Sequence, residues 1–198
     1  MLILGSCFIF AALALTLYNN KDSARAGEDA SELSAQLSEM LANSAQSAES
    51  SGTDDPALSQ LAIKDSEDIA AMQIGDYSVC GIINIPSIGV ELAVIDNWSY
   101  KNLRISANRY YGSPDKQIMI MAHNYPSHFG KLNQLMPGDE VQFTDTNGVV
   151  YHYTVSATEL LATEQLPEII AGQDWDLTLF TCTYGGANRV VVRCVLEK

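Results

Sequence analysis

Cys182 ends one apolar run and Arg189 begins the next, with the turn Thr183-Tyr184-Gly185-Gly186-Ala187-Asn188 between them. A thiol beside a fixed guanidinium can do nucleophilic chemistry if a base stands near enough to take its proton. Two apolar runs around a glycine-containing loop read as a β-hairpin. With that loop as the turn, Cys182 lies opposite Arg189. The next pairs are Thr181/Val190, Phe180/Val191, Leu179/Val192, Thr178/Arg193 and Leu177/Cys194. Opposed residues share a face and faces alternate along a strand. Cys182 and Arg189 therefore share a face with Phe180, Val191, Thr178 and Arg193. Leu177, Leu179, Val190, Val192 and Cys194 take the other, more apolar face, toward the core. Arg193 stands roughly 13 Å further along the strand than Arg189. Cys194 points away from Cys182, so no bridge between them is expected.

The base must be one of three histidines, His123, His128 or His152. His152 sits mid-strand in Tyr151-His152-Tyr153, a structural setting. His128 lies in a loop. His123 follows the apolar run 117–122 (QIMIMA), a buried strand by its near-continuous hydrophobicity. A polar residue there is aimed by a rigid scaffold, and position favours His123.

The elements that must hold these groups are mostly short strands. Residues 79–86 (VCGIINIP) and 90–95 (VELAVI) read as strands around Ser87-Ile88-Gly89. Residues 98–107 read as a short helix and 129–135 as a helical turn. Residues 140–144 and 149–158 form a hairpin around Asp145-Thr146-Asn147-Gly148, a strong turn signal. Residues 164–174 are a connection with at most a short helix. Many short strands with turn punctuation argue for a β-barrel or sandwich.

The amino-terminal part has another texture. Residues 2–18 (LILGSCFIFAALALTLY) carry no charge, the short end of what a membrane-spanning helix needs. An anchor is favoured over a cleaved signal peptide because no small-x-small site precedes Asn19. Lys21 and Arg25 follow the run and no basic residue precedes it, which by the positive-inside rule would leave the following domain cytoplasmic. Residues 26–63 contain no Lys or Arg. Ala30, Leu33, Leu37, Met40 and Leu41 recur there at helical spacing, and Asp29 and Glu32 resemble a capping box. This reads as one helix on a solvated stalk, with a partner-binding helix as the alternative. Residues 43–56 read as a loose linker.

A net charge of -13 over 198 residues repels phosphate backbones, so nucleic acid is not an expected partner. The four cysteines have no CxxC spacing and suggest neither a zinc site nor a disulfide framework.

Taken together these motifs resemble the sortases, cysteine transpeptidases of Gram-positive cell surfaces. Their TLxTC motif stands here as Thr178-Leu179-Phe180-Thr181-Cys182, and their strand-starting arginine as Arg189-Val190-Val191-Val192-Arg193. Their histidine pattern stands as Ala122-His123-Asn124, and the F-x-x-L…GD pattern as Phe129-Gly130-Lys131-Leu132 followed by Gly138-Asp139. Their early G-x-I-x-IP motif stands as Gly81-Ile82-Ile83-Asn84-Ile85-Pro86. The resemblance runs in order from about residue 76 to the end. It implies a mainly β fold: a closed eight-stranded sortase-like β-barrel with short helices, preceded by an N-terminal membrane helix and helical stalk. The expected units are a membrane anchor at 1–19, an acidic stalk and linker at 20–75, and the catalytic barrel at 76–198.

The resemblance implies that Cys182 attacks an LPxTG-like sorting signal between Thr and Gly. His123 serves as acid and base, and Arg189 holds the substrate and the developing oxyanion. Thr178, Thr181 and Tyr184, grouped around the cysteine, are the candidate substrate-binding residues. The acceptor is an amine, from a cell-wall precursor or a pilin lysine. No cofactor or metal is expected. The catalytic domain is expected outside a cell membrane crossed once by the anchor, against the charge reading of Lys21 and Arg25; a basic leader ahead of the sequence would reconcile the two. Tyr184 stands where some relatives carry Asp. The segment before TLxTC is too short for the long helix of class B enzymes, which leans toward class D or C with class B open. Asp55-Pro56-Ala57 lacks the aromatic of an Asp-Pro-aromatic lid. The rival readings are a membrane-tethered cysteine hydrolase and a non-catalytic β-domain that binds a surface partner.

Overall fold

The computed structural model describes residues 2–50, 69–165 and 175–197. A long helix, α1 (Leu2–Ser50), precedes nine strands: β1 (Met72–Ile74), β2 (Tyr77–Ile85), β3 (Val90–Ile95), β4 (Ala107–Ser113), β5 (Gln117–Met121), β6 (Glu140–Asp145), β7 (Val150–Ala162), β8 (Leu177–Cys182) and β9 (Asn188–Leu196). A single helical turn, α2 (Tyr100–Leu103), separates β3 from β4.

The strands run β2-β3-β4-β5-β8-β9-β7-β6, and β6 pairs back onto β2. That pairing closes an eight-stranded barrel, and β1 adds a short ninth strand against the start of β2. Closure removes the exposed strand edges that an open sheet would leave. Neighbours are antiparallel except β3 with β4 and β5 with β8. Gly81 permits the closing contact, because a Cβ there would sit 2.3 Å from the carbonyl oxygen of Thr144 on β6.

The barrel interior is filled by alternate residues of the strands, among them Ile83, Ile85, Leu92, Val94, Ile118, Ile120, Val141, Phe143 and Tyr153. Leu177, Leu179, Val190, Val192 and Cys194 belong to this core, as the hairpin pattern requires. Phe180 and Val191 join Met119 in a separate cluster on the other face.

Three expectations about organisation are corrected. The helix assigned to 98–107 is only α2, capped by Ser99, whose Oγ accepts the Asn102 N–H. The chain then enters β4, missed because Asn108-Arg109-Tyr110-Tyr111-Gly112 has no clean alternation. Its pairing with β5 carries an irregularity between Arg109 and Tyr111. The loose linker expected from residue 43 is helical as far as Ser50. The rest of it, with Asp55-Pro56, lies outside the described residues.

The third correction concerns the stalk. α1 is not a solvated spacer. Leu33 and Leu37 are buried against Ile74, Val79, Ile82, Ala93 and Ile95 on the outer face of β1, β2 and β3. Ser34 is buried with them, and its Oγ accepts the Ala93 N–H at 2.7 Å. The stripe Ala30, Leu33, Leu37 is the one legible at helical spacing, while Met40 is exposed.

Before the docked part, Phe8, Ile9, Phe10, Leu13, Leu15 and Leu17 are all exposed. The membrane anchor expected over 1–19 is not shown: among the described residues no helix is long and apolar enough to cross a membrane.

Candidate active site

The β8–β9 hairpin has the register that strand alternation requires, from Leu177↔Cys194 to Cys182↔Arg189. β5 lies on the other side of β8, parallel, with Met121↔Phe180 as the last pair. Two contacts extend it: the Ala122 N–H donates to the Phe180 carbonyl at 3.4 Å, and the Thr181 hydroxyl donates to the Ala122 carbonyl at 2.8 Å. That register, continued past its last pair, sets His123 level with Cys182. Adjacent strands lie about 4.8 Å apart. His123, Cys182 and Arg189 thus stand abreast on three neighbouring strand ends at one rim of the barrel.

All three line one cavity of about 360 Å³, whose walls include Leu103, Met121 and Phe180. Arg104, just past α2, brings a second cation to this cavity. The Arg189 guanidinium is aimed by its own loop, Nη1 donating to the carbonyls of Gly186 at 2.9 Å and Asn188 at 3.0 Å.

Arg193 has a different setting. It is buried, donates from Nη1 to Thr178 Oγ1 at 3.1 Å, and pairs through Nε with Glu159 at 3.2 Å.

All four cysteines are free, and three differ sharply from Cys182. Cys80 and Cys194 are core residues whose thiols burial pushes up to about 12, so neither ionises near neutral pH. Cys7 lies exposed on α1 and is not among the residues lining the cavity. Cys182 is half-buried and opens on the cavity.

His123 is half-buried. Burial lowers its pKa below the ordinary imidazole value. Asn124 and Asp22 act in the opposite sense, and Arg104 lowers it further. Its ring stacks on Tyr125, with centroids 3.9 Å apart and planes 14° from parallel. The Tyr125 hydroxyl donates to the carboxylate of Asp22 on α1.

The candidate substrate-binding residues separate. Thr181 lines the cavity, but its hydroxyl is committed to Ala122. Thr178 is buried under Arg193 and is not on the cavity wall, which corrects its expected place. Tyr184 is 94% exposed and borders a second cavity of about 750 Å³, lined also by His123, Arg104, Tyr125 and residues of α1 from Tyr18 to Ser23.

His128 is a buried structural residue whose Nε2 meets the Ala26 carbonyl of α1 at 3.1 Å, and His152 pairs with Glu140 at the surface. Tyr100, Arg104, Tyr125 and Asp22 were not singled out from sequence. The first three lie near the motifs but fit no chemical spacing, and Asp22 has no local signal at all. Among the described residues no group of three His, Cys, Asp or Glu is placed to hold a metal ion.

The family model of the Sortase domain matches residues 83–197, more than half of the chain. The chain belongs to the sortase family.

Solved structures with similar folds include sortase A from Listeria monocytogenes, 26% identical, covering 61% of this chain and 88% of that one, with a TM-score of 0.54. Sortase C from Clostridium perfringens is 24% identical over 64% of this chain and 73% of that one, with a TM-score of 0.54. A Clostridium perfringens sortase D5 transpeptidase is 20% identical over 61% and 79%, again at 0.54. Sortases of classes A, C and D are thus equally similar in fold, and the fold does not select among them. No curated protein sequence matches the chain. The family match begins after α1, so the docked helix lies outside it.

Proposed function

We propose that the chain is a cysteine transpeptidase that cleaves an LPxTG-like sorting signal between Thr and Gly and transfers the new carboxyl end to an amine. The observation that supports this most is the meeting of His123, Cys182 and Arg189 at one cavity. A free thiol with a pKa near 8.5 is only about 3% ionised at pH 7, so a neighbouring base and cations matter. The Cys182 proton passes to His123 as sulfur attacks the Thr carbonyl carbon. Arg189 faces the oxyanion that develops there, where a fixed cation acts most strongly. The C–N bond breaks, and His123 gives its proton to the leaving amine of Gly. A thioester on Cys182 remains.

An acceptor amine then attacks the thioester, loses a proton to His123, and displaces the Cys182 thiolate. A His123 ring held below the ordinary imidazole value is largely neutral at pH 7 and ready for that proton. The acceptor belongs to a cell-wall precursor or a pilin lysine.

The exposed apolar side chains from Phe8 to Leu17 support a membrane-held amino terminus, with the catalytic barrel outside the cell. Tyr18 borders the second cavity with His123, so the site would stand close to the membrane surface.

The reading is tested by mixing the chain with a sorting-signal peptide and a glycine peptide. A ligated product that disappears in Cys182→Ala is expected. Cleavage without ligation at any amine concentration would make the protein a hydrolase instead.

A further inference from the structure

We propose that Asp22 on α1 is a positioning residue for His123, acting through Tyr125. The proposal rests on the reading of His123 as the acid and base of the reaction.

A catalytic imidazole is usually oriented by a hydrogen bond at its second nitrogen, often to a carboxylate or a carbonyl. At His123 the buried Nδ1 has no hydrogen-bond partner among the described residues, and the neighbouring Asn124 side chain is the polar group that most favours the charged ring. The ring plane rests on the face of Tyr125, stacked at 3.9 Å. Tyr125 lies on the loop after β5, and a stacked ring on a loop orients its neighbour only if its own far end is held. The carboxylate of Asp22 holds it, by accepting the phenol O–H. Burial first, and this bond second, push the Tyr125 phenol up to about 12, so it stays protonated as a donor across the working pH range.

The helix that carries Asp22 is itself fixed close to this loop. His128 donates from Nε2 to the Ala26 carbonyl, one turn further along α1. Gly27 faces Ser127 so closely that a Cβ would stand 3.1 Å from the serine Cβ. Ala30, Leu33 and Leu37 then bury the next turns. A helix outside the segment matched to the family thus supplies the third member of a carboxylate–tyrosine–histidine series.

The charged and titratable groups around His123 come from each element packed there. They are Tyr18 and Asp22 on α1, Tyr100 on α2 and Arg104 after it, Tyr125 and His128 on the loop of His123 itself, and Cys182, Tyr184 and Arg189 from the β8–β9 hairpin. Asp22 is the carboxylate that favours the imidazolium, and Arg104 opposes it. Neutralising Asp22 therefore moves His123 titration to lower pH, whereas removing only the phenol leaves the carboxylate in place.

The test uses the full chain, with transfer of a sorting-signal peptide to a glycine peptide followed between about pH 5.5 and 9. Asp22→Asn, Asp22→Ala, Tyr125→Phe and Tyr125→Leu are compared with the wild type, and thermal unfolding checks each fold. Asp22→Ala and Tyr125→Leu are expected to lose about tenfold in kcat, with the peptide KM within about twofold. Tyr125→Phe, which keeps the stacked ring, recovers most of the loss seen in Tyr125→Leu. Asp22→Asn, which can still accept the phenol O–H, shifts the acidic limb of the profile to lower pH. Wild-type kcat and an unmoved limb in all four variants would overturn the proposal. So would a kcat that falls only in step with the folded fraction. If the wild-type chain forms no thioester, the catalytic reading of His123 falls first and takes this proposal with it.

Discussion

Arg189 and Arg193 share one face of β9 but stand in different surroundings. Arg189 is half-buried at the cavity, while Arg193 is buried beside Thr178 and Glu159. Arg189→Ala is expected to lose acyl transfer and keep its unfolding midpoint. Arg193→Ala removes a buried charge-assisted hydrogen bond and should lower the unfolding free energy by about 1.5–3 kcal/mol. Glu159 is partly exposed, so its share of that loss is small. Denaturant titration and a transfer assay on both variants check this, and equal activity loss in the two would contradict the assignment of Arg189. Strand alternation made Cys182 and Arg189 legible as partners, because register alone decides which residues share a face. It misled at Thr178, because sharing a face with Cys182 does not reveal what covers that face further along. Tyr125 and Asp22 were not legible, since their contact joins residues 103 positions apart.

At the scale of elements, α1 is the part whose role the sequence only half disclosed. The stripe Ala30, Leu33, Leu37 was plain from its spacing, but periodicity gives a face and not the surface it meets. That surface is the outer side of β1, β2 and β3. Leu37 is fully buried there. Leu37→Ala should therefore cost about 2–5 kcal/mol of unfolding free energy, whereas a stalk free in solvent would show almost none. Urea unfolding of the full chain separates the two.

The contact between α1 and the loop after β5 also carries a pH dependence. Burial lowers the pKa of His128 below its unfolded value near 6.5. The unfolded chain then takes up the proton first as pH falls, so stability is full above about pH 6.5 and is lost below it. His123 adds in the same direction. The thermal midpoint of the wild type should fall between about pH 7.5 and 5, and more steeply than that of His128→Gln. Parallel profiles would refute this.

The whole molecule joins a closed barrel to a helix that runs past the rim carrying His123 and on into an exposed apolar segment. Closure of eight strands was expected from the motif resemblance; the strand pattern by itself allowed a sandwich as well. β4 was invisible because its residues are polar and irregular, held in place by β5 and by the Asp96–Arg109 ion pair at 2.7 Å. If the apolar segment holds the protein at a membrane, removing residues 2–17 should move the protein to the soluble fraction and leave thioester formation intact, since Asp22 and the docked turns remain. Membrane association that persists without the segment would place the attachment elsewhere.

The proposed chemistry turns on Cys182, served by His123 and Arg189, taking up an acyl group from a sorting-signal peptide. Intact-mass measurement of the folded chain with an LPxTG-like peptide tests it most directly. The expected result is a mass gain equal to the peptide portion ending at Thr, absent in Cys182→Ala and removed by an added amine as ligated product. A gain that persists in Cys182→Ala, or a folded wild-type chain that reacts with no such peptide, would contradict it.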